Sequence, residues 1–403
     1  MTTKEGSGPD TAQARKGRRP AARSDIASFI VMDVMRDAAA REAGGRSVMH
    51  LEVGQPGTPA PAAAIAAVQR ALPAETLGYT AALGIDALRA RIARIYQERY
   101  GVRVAENRIV VCTGSSAAFI LAFLALFDTG ASVALPSPGY PCYRHILSAL
   151  GCRSPLIETG PDSRWMPTRD AVAALHRDVG LAGLLIASPA NPTGTMIEPQ
   201  RLAELVRFCD EQGIWFVSDE IYHGLTYGAP ATTALSVSDD AIVINSFSKY
   251  YAMTGWRIGW LVVPPSLVRV VERLQQNLFI SAPAVSQIAA LGAFEGVDEL
   301  ERNRETYARN RALLLEALPE AGLSDLAPAD GAFYLYADVS AVTDDARAFA
   351  SAMLEEIGVA VTPGLDFDER RGHRFLRFSY AGTEADMAEA ARRLKGWARL
   401  SGS

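Results

Sequence analysis

Residues 184–217 read LLIASPANPTGTMIEPQRLAELVRFCDEQGIWFV. Two apolar runs, 184–187 and 214–217, bracket a turn-rich stretch and a segment of helical period over 200–211. A strand that is apolar at every position is buried on both faces, which points to a parallel sheet covered by helices. The same reading extends outward to the runs 108–112, 132–135 and 241–244, each separated from the next by helical stretches. Strand, helix and strand repeat from about residue 65 to residue 263, and this predicts an α/β large domain with a mostly parallel sheet. Beyond Pro264 the pattern changes. A charged amphipathic helix is expected over 298–318, strands over 333–336 and 375–378, and a final helix over 384–400, which together make a smaller α+β region.

Bulk composition narrows the class. The 403 residues carry 40 Lys+Arg and 45 Asp+Glu, a net −5, which argues against nucleic acid as a partner. The first 24 residues hold six cations and two acids, a net +4 among Gly, Pro, Ser and Ala, and read as a disordered tail. A twin-arginine export signal at Arg18-Arg19 is not supported, because Asp25, Asp33 and Arg36 interrupt what would be its apolar region. No run reaches the roughly 18 uncharged apolar residues of a membrane span; even 117–127 stops at Asp128. Cys112, Cys142, Cys152 and Cys209 form no CxxC pair, so a reducing cytoplasmic setting without a zinc site is expected. His50, His145, His176 and His373 show no metal-ligand spacing.

Ligands of open α/β sheets bind at the carboxyl ends of the strands, so the residues just after each run carry the chemistry. After 110–112 comes Thr113-Gly114-Ser115-Ser116, small residues whose amides and hydroxyls at a helix start suit a phosphate. After 184–187 comes Ser188-Pro189-Ala190-Asn191-Pro192-Thr193-Gly194, a rigid turn, with a cis bond expected before Pro192, that holds the Asn191 amide for a ligand. Asp219 follows Trp215-Phe216-Val217-Ser218. A carboxylate there needs a cation, and a protonated heterocyclic nitrogen qualifies, with the Tyr222 phenol beside it. Lys249 follows Asn245-Ser246-Phe247-Ser248, where apolar company favours a nucleophilic, Schiff-base-forming amine. Arg257, eight residues on, suits an oxyanion. Taken singly, each has a plainer reading: a helix cap for the Thr113 loop or Asp219, an Asx turn at Asn191, a surface lysine, a strand-edge arginine.

Together these segments resemble fold type I pyridoxal-phosphate enzymes. Asn191-Pro192-Thr193-Gly194, Asp219-Glu220-Ile221-Tyr222 and Ser246-Phe247-Ser248-Lys249 through Thr254-Gly255-Trp256-Arg257 agree in type, order and spacing with class I/II aminotransferases of the aspartate aminotransferase type. The resemblance runs from about residue 24 to residue 394. It implies a seven-stranded, mostly parallel sheet between helices and a smaller domain formed from both chain termini. It further implies a tail over 1–24, an arm with part of the small domain over 25–63, a cofactor domain over 64–297, and an interdomain helix with the small domain over 298–403.

The resemblance also assigns roles. Lys249 is implied as the Schiff-base lysine and proton shuttle, and Asp219 as the partner of the pyridine nitrogen. Tyr222 and Asn191 are implied on the ring oxygen, and Tyr140 stacked on the ring. Gly114, Ser115, Ser116, Ser246 and Arg257 are implied around the phosphate, together with Tyr79 from a neighbouring subunit, hence a homodimer with shared sites. Arg377 is implied as the clamp on the substrate carboxylate, with Gly54 closing over it and the segment Gly331-Ala332-Phe333-Tyr334 near the substrate side chain. The implied activity is ping-pong transfer of an amino group from an α-amino acid to a 2-oxo acid, with 2-oxoglutarate as a common acceptor. Alternatives within the fold are a C-S lyase, decarboxylase or synthase, and more distantly a cofactor-binding regulator. Two departures stand out: no lysine lies in the Thr113–Ser116 loop, which argues against aspartate as donor, and Asp368 follows Pro363-Gly364-Leu365-Asp366-Phe367 where the family usually has glycine. His223, next to Tyr222, is expected behind the site or at the surface.

Overall fold

The computed structural model describes residues 19–397 and 399–400, so residues 1–18, most of the basic tail, lie outside the described residues. The first strand, β1 (Met49–His50), belongs to the smaller region. The large sheet comprises β2 (Ile109–Cys112), β3 (Val133–Ser137), β4 (Leu156–Glu158), β5 (Gly183–Ala187), β6 (Trp215–Asp219), β7 (Ile242–Ser246) and β8 (Gly259–Val262). Its order is β2-β8-β7-β6-β5-β3-β4. Only β8 runs antiparallel to its neighbours, and the remaining pairs are parallel. The seven strands are those the resemblance implies.

Alternate strand residues serve different cores, which is why the runs are apolar throughout. Ile109, Val111 and Val243 join one buried cluster, while Val110, Cys112, Ile242 and Ile244 join the other on the opposite face. The helix Gly114–Leu126 lies in the second cluster and is apolar on nearly every side. One strand escapes a reading based on apolar runs. β4 has three residues and exposes Leu156 and Glu158, so it is an edge strand with little to bury. β8 is apolar and buried throughout and follows directly on the Arg257 motif at the end of the repeating pattern.

The observed strands also run further than expected at their carboxyl ends. β3, β6 and β7 extend into Ser137, Asp219 and Ser246, so two of the predicted site residues are the last rungs of strands rather than loop residues.

The smaller region contains β9 (Tyr334–Asp338), β10 (Val359–Ala360), β11 (Thr362–Pro363) and β12 (Phe375–Ser379). β9, β12 and β11 form an antiparallel sheet. β1 pairs in parallel with β10, which joins the two ends of the chain in one α+β unit. The long helix spans Val297–Glu320. The last helix spans Glu384–Lys395, shorter than expected at its carboxyl end because Gly396 caps it and Trp397 turns back into the core.

Candidate active site

The carboxyl ends of β2, β3, β5, β6 and β7 meet the smaller region around a cavity of about 180 Å³. Ser115, Ser116, Tyr140, Asn191, Tyr222 and Lys249 line it, and Arg257 lies on its wall. The fold thus brings together side chains separated by more than a hundred residues in sequence. The Asn191–Pro192 bond is cis, as the sequence led one to expect.

Lys249 lies three residues past β7, and its Nζ donates to the carbonyl oxygen of Gly54 at 2.7 Å. Burial, then the nearby Arg377 and Arg257 charges, push its amine down to about 8. Asp219 is buried. Its Oδ1 accepts from the backbone N–H of Ile221 at 3.0 Å, and its Oδ2 accepts from the hydroxyl of Tyr143. Burial outweighs these bonds and the Lys249 charge, and raises the Asp219 carboxyl to about 6. Tyr222 shares a hydrogen bond of 2.8 Å with Tyr334 Oη, and burial drives its phenol well above the usual range.

Gly114 opens the helix Gly114–Leu126 at φ +74°, and a Cβ there would lie 2.5 Å from Arg257 Nη2. Arg257 itself has φ +49°, a conformation that a bulky residue rarely adopts, and its Nη1 donates to the Thr254 carbonyl at 2.9 Å. Ser246 is buried behind this wall. Its hydroxyl donates to Ser248 Oγ at 3.0 Å or the Ile258 carbonyl at 3.2 Å, and Ser248 is the serine of the pair that lines the cavity.

Arg377, the middle residue of β12, is 3% exposed. Its Nη1 donates to Asn191 Oδ1 at 2.9 Å, and its Nη2 to the Glu52 carbonyl at 2.5 Å. Its Nε is buried and has no hydrogen-bond partner among the described residues. The guanidinium lies between two rings, 4.4 Å from the centroid of Tyr334 and 4.7 Å from that of Phe367. Gly54 faces the same place: a Cβ there would lie 2.0 Å from Tyr334 Oη.

Tyr79 is 86% exposed and does not reach the cavity of its own chain. His223 is buried behind the site, with Nδ1 2.8 Å from Tyr100 Oη.

Sequence reasoning passed over Tyr143, Tyr334 as a partner of Tyr222 and Arg377, and Phe367. Tyr143 was within reach, since it stands three residues after Tyr140 in the helix Pro141–Ala149 and edges against that ring at 5.3 Å. Phe367 enters the sequence reading only within the stretch 363–367, because its ring contact with Arg377 depends on how that stretch folds back against β12.

The donor set fits pyridoxal phosphate. A glycine at a helix start faces a guanidinium, a buried carboxyl makes no ion pair among the described residues, and an amine of lowered pKa lines the same cavity. A phosphate, a protonated ring nitrogen and an aldehyde supply the complementary groups.

Comparison with known proteins agrees. A family profile for aminotransferases of class I and II matches residues 46–394. A valine–pyruvate aminotransferase of Mycobacterium tuberculosis is 50% identical, over 94% of this chain and 98% of that protein. The crystal structure of an aminotransferase from the same organism superposes with a TM-score of 0.92 at 50% identity, covering 94% of this chain and 99% of the other. The aspartate aminotransferase of Thermus thermophilus, solved with maleate, gives 0.87 at 29% identity, with 94% and 99% covered. The chain belongs to the class I and II aminotransferases: it is a transaminase whose cofactor is pyridoxal 5′-phosphate.

Proposed function

We propose that the enzyme takes its amino group from an apolar α-amino acid, valine first, and passes it to pyruvate. The observation that carries this reading is the charge of the lining: among the described residues that line the cavity, beside Phe119, Ile146 and polar neutral side chains, the cations are Lys249 and Arg257. Both have other work, so no cation on this lining is left to pair with a distal carboxylate. The valine–pyruvate relative supports the same choice.

The residue roles proposed are those the family resemblance implies. Gly114, Ser115, Ser116 and Arg257 would hold the cofactor phosphate, with Ser246 behind them bonded to Ser248; Asp219 would hold the proton of the ring nitrogen, and Tyr222 and Asn191 the ring oxygen, with Tyr140 over the ring. When bound, pyridoxal phosphate takes up the electron pair released at the substrate Cα. Arg377 is the proposed anchor of the substrate carboxylate: its Nη bonds hold the guanidinium in place, and its buried Nε has bonding capacity unused among the described residues. Gly54, having no side chain, lets the Tyr334 hydroxyl pack against its backbone, where any Cβ would collide. Lys249 moves the proton. With its pKa near 8, a usable fraction of the amine is neutral at physiological pH, so Nζ accepts a proton from Cα and later gives one back. Two half-reactions through one site give ping-pong kinetics.

A homodimer with shared sites is proposed as well. Tyr79, Leu72, Leu278 and Ile280 are large apolar side chains left exposed, and Tyr79 is free to enter a partner's site. The arm over 25–63, the cofactor domain over 64–297 and the remainder over 298–403 are the proposed divisions. A cytoplasmic location accords with four free cysteines and with no helix among the described residues being long and apolar enough to cross a membrane.

Incubating the holoenzyme with valine and pyruvate should yield alanine and 3-methyl-2-oxobutanoate. Faster turnover of aspartate with 2-oxoglutarate, with no alanine formed from valine, would overturn the substrate assignment.

A further inference from the structure

Asp368 departs from the glycine usual at this position, and the structure gives the carboxylate a definite place. It is 3% exposed. Its Oδ1 accepts from the backbone N–H groups of Arg370 and Arg371, both at 3.0 Å. Its Oδ2 accepts from Arg371 Nε at 2.8 Å. So held, the Arg371 guanidinium leaves the smaller region. Nη1 donates to the Thr159 carbonyl at 3.0 Å and Nη2 to the Ser137 carbonyl at 2.9 Å. Ser137 ends β3, three residues before Tyr140. One residue before Tyr140, the N–H of Gly139 donates to the Phe367 carbonyl at 3.0 Å. Phe367 in turn carries its ring against the Arg377 guanidinium at 4.7 Å.

One loop therefore touches two parts of the site that lie in different regions of the fold: the aromatic wall at Tyr140 and the guanidinium at Arg377. We propose that Arg371, locked by Asp368, is a positioning residue that sets the distance between the Tyr140 wall and the Arg377 carboxylate anchor. A guanidinium suits this work. Its fork is planar and fixed, so one carboxylate oxygen and two carbonyls together determine its position, whereas the glycine usual at 368 offers no such hold. The two carbonyls it meets are already tied to one another through the Thr159 N–H and Ser137 carbonyl, at 2.9 Å, so the clasp grips a stiff part of the large sheet. Its effect is expected on binding of the substrate carboxylate rather than on proton transfer at Lys249, which hangs from β7.

The proposal rests on the reading of Arg377 as the anchor, and the test separates the two. In the holoenzyme, binding of 3-methylbutanoate, a substrate-shaped carboxylate without an amino group, is titrated through the visible absorbance of the bound cofactor. Arg371→Met and Asp368→Asn should each weaken its binding about tenfold and raise the KM for valine to match, with kcat held within about twofold. The double variant should be no worse than either single one, because the two side chains act as a unit. Unchanged carboxylate binding in a folded variant overturns the proposal, as does a fall in kcat and melting temperature with binding intact. Should Arg371→Met not fold, Asp368→Asn and Arg371→Lys, which keep side-chain volume, decide by the same two readings. Arg377→Lys is the control: if it leaves 3-methylbutanoate binding unchanged, the anchor reading itself falls. A large loss there, beside unchanged binding in the clasp variants, removes only the clasp.

Discussion

Lys249 and Asp219 face opposite electrostatic penalties from the same burial. The lysine is driven down to about 8 and the aspartate up to about 6, so each is held toward its neutral form. For Asp219 the sign can be worked out. Its folded value lies above the ordinary 3.8, so its contribution to stability is complete below about pH 4 and is lost as pH rises through about 6, at a cost of up to about 3 kcal/mol. Asp219→Asn removes that cost. In cofactor-free protein the variant should withstand urea better than wild type at about pH 8 and no better at about pH 4, while its affinity for pyridoxal phosphate falls. Equal pH dependence in both proteins would show that the carboxylate is not penalised. Lys249→Ala makes a separate demand. The visible absorbance that a lysine-linked cofactor gives should disappear and turnover should fall at least about a thousandfold, with the far-ultraviolet circular dichroism unchanged. Retained absorbance or turnover would move the reactive amine elsewhere.

At the scale of elements, the turn from β2 into the helix Gly114–Leu126 is the most constrained junction of the site. Gly114→Ala meets two costs. A side chain at φ +74° carries a strain of about 1 kcal/mol, and the new methyl collides with Arg257 Nη2 at 2.5 Å. The arginine must move, and with it the cation facing the helix amides. Affinity for pyridoxal phosphate should fall about tenfold or more, with urea stability reduced only by about the strain, when cofactor binding is followed by fluorescence of the apoenzyme. Undiminished affinity would exclude Arg257 from the phosphate cradle. The same junction shows what a sequence can disclose. Thr113-Gly114-Ser115-Ser116 was legible because its residue types and the apolar run before it are local facts, and so was Lys249 past β7. Tyr334 and Phe367 were not, since their meeting with Arg377 depends on how β9, β12 and the loop before β12 pack. The direction of β8 was hidden for a related reason: its apolar residues mark a buried strand, but its antiparallel pairing with β2 and β7 is set by the packing of the sheet.

At the scale of the whole molecule, a net charge of −5 surrounds a site that gathers Lys249, Arg257 and Arg377. Both substrates of this reaction carry a carboxylate and the cofactor a phosphate, so the cations that meet them are gathered in the fold rather than spread on its surface. Tyr79 is the residue this arrangement leaves unplaced, since it is 86% exposed and lies away from its own chain's cavity. If it completes a partner's site, two defective chains must be able to repair one another. Lys249→Ala lacks the reactive amine and Tyr79→Ala lacks the donated phenol. In a mixed dimer one site inherits both lesions and the other inherits neither. Random reassociation of equal amounts makes half the dimers mixed, so activity should return to about a quarter of wild type, well above the average of the two parents. The measurement is valine–pyruvate turnover after the variants are denatured together and refolded, compared with the same variants refolded apart and then combined. Recovery only in the first case requires that Tyr79 and Lys249 act across the subunit boundary. If co-refolding gives no more than the average of the parents while mixed dimers are recovered by differential tags, Tyr79 serves its own chain or none, and the sites are not shared.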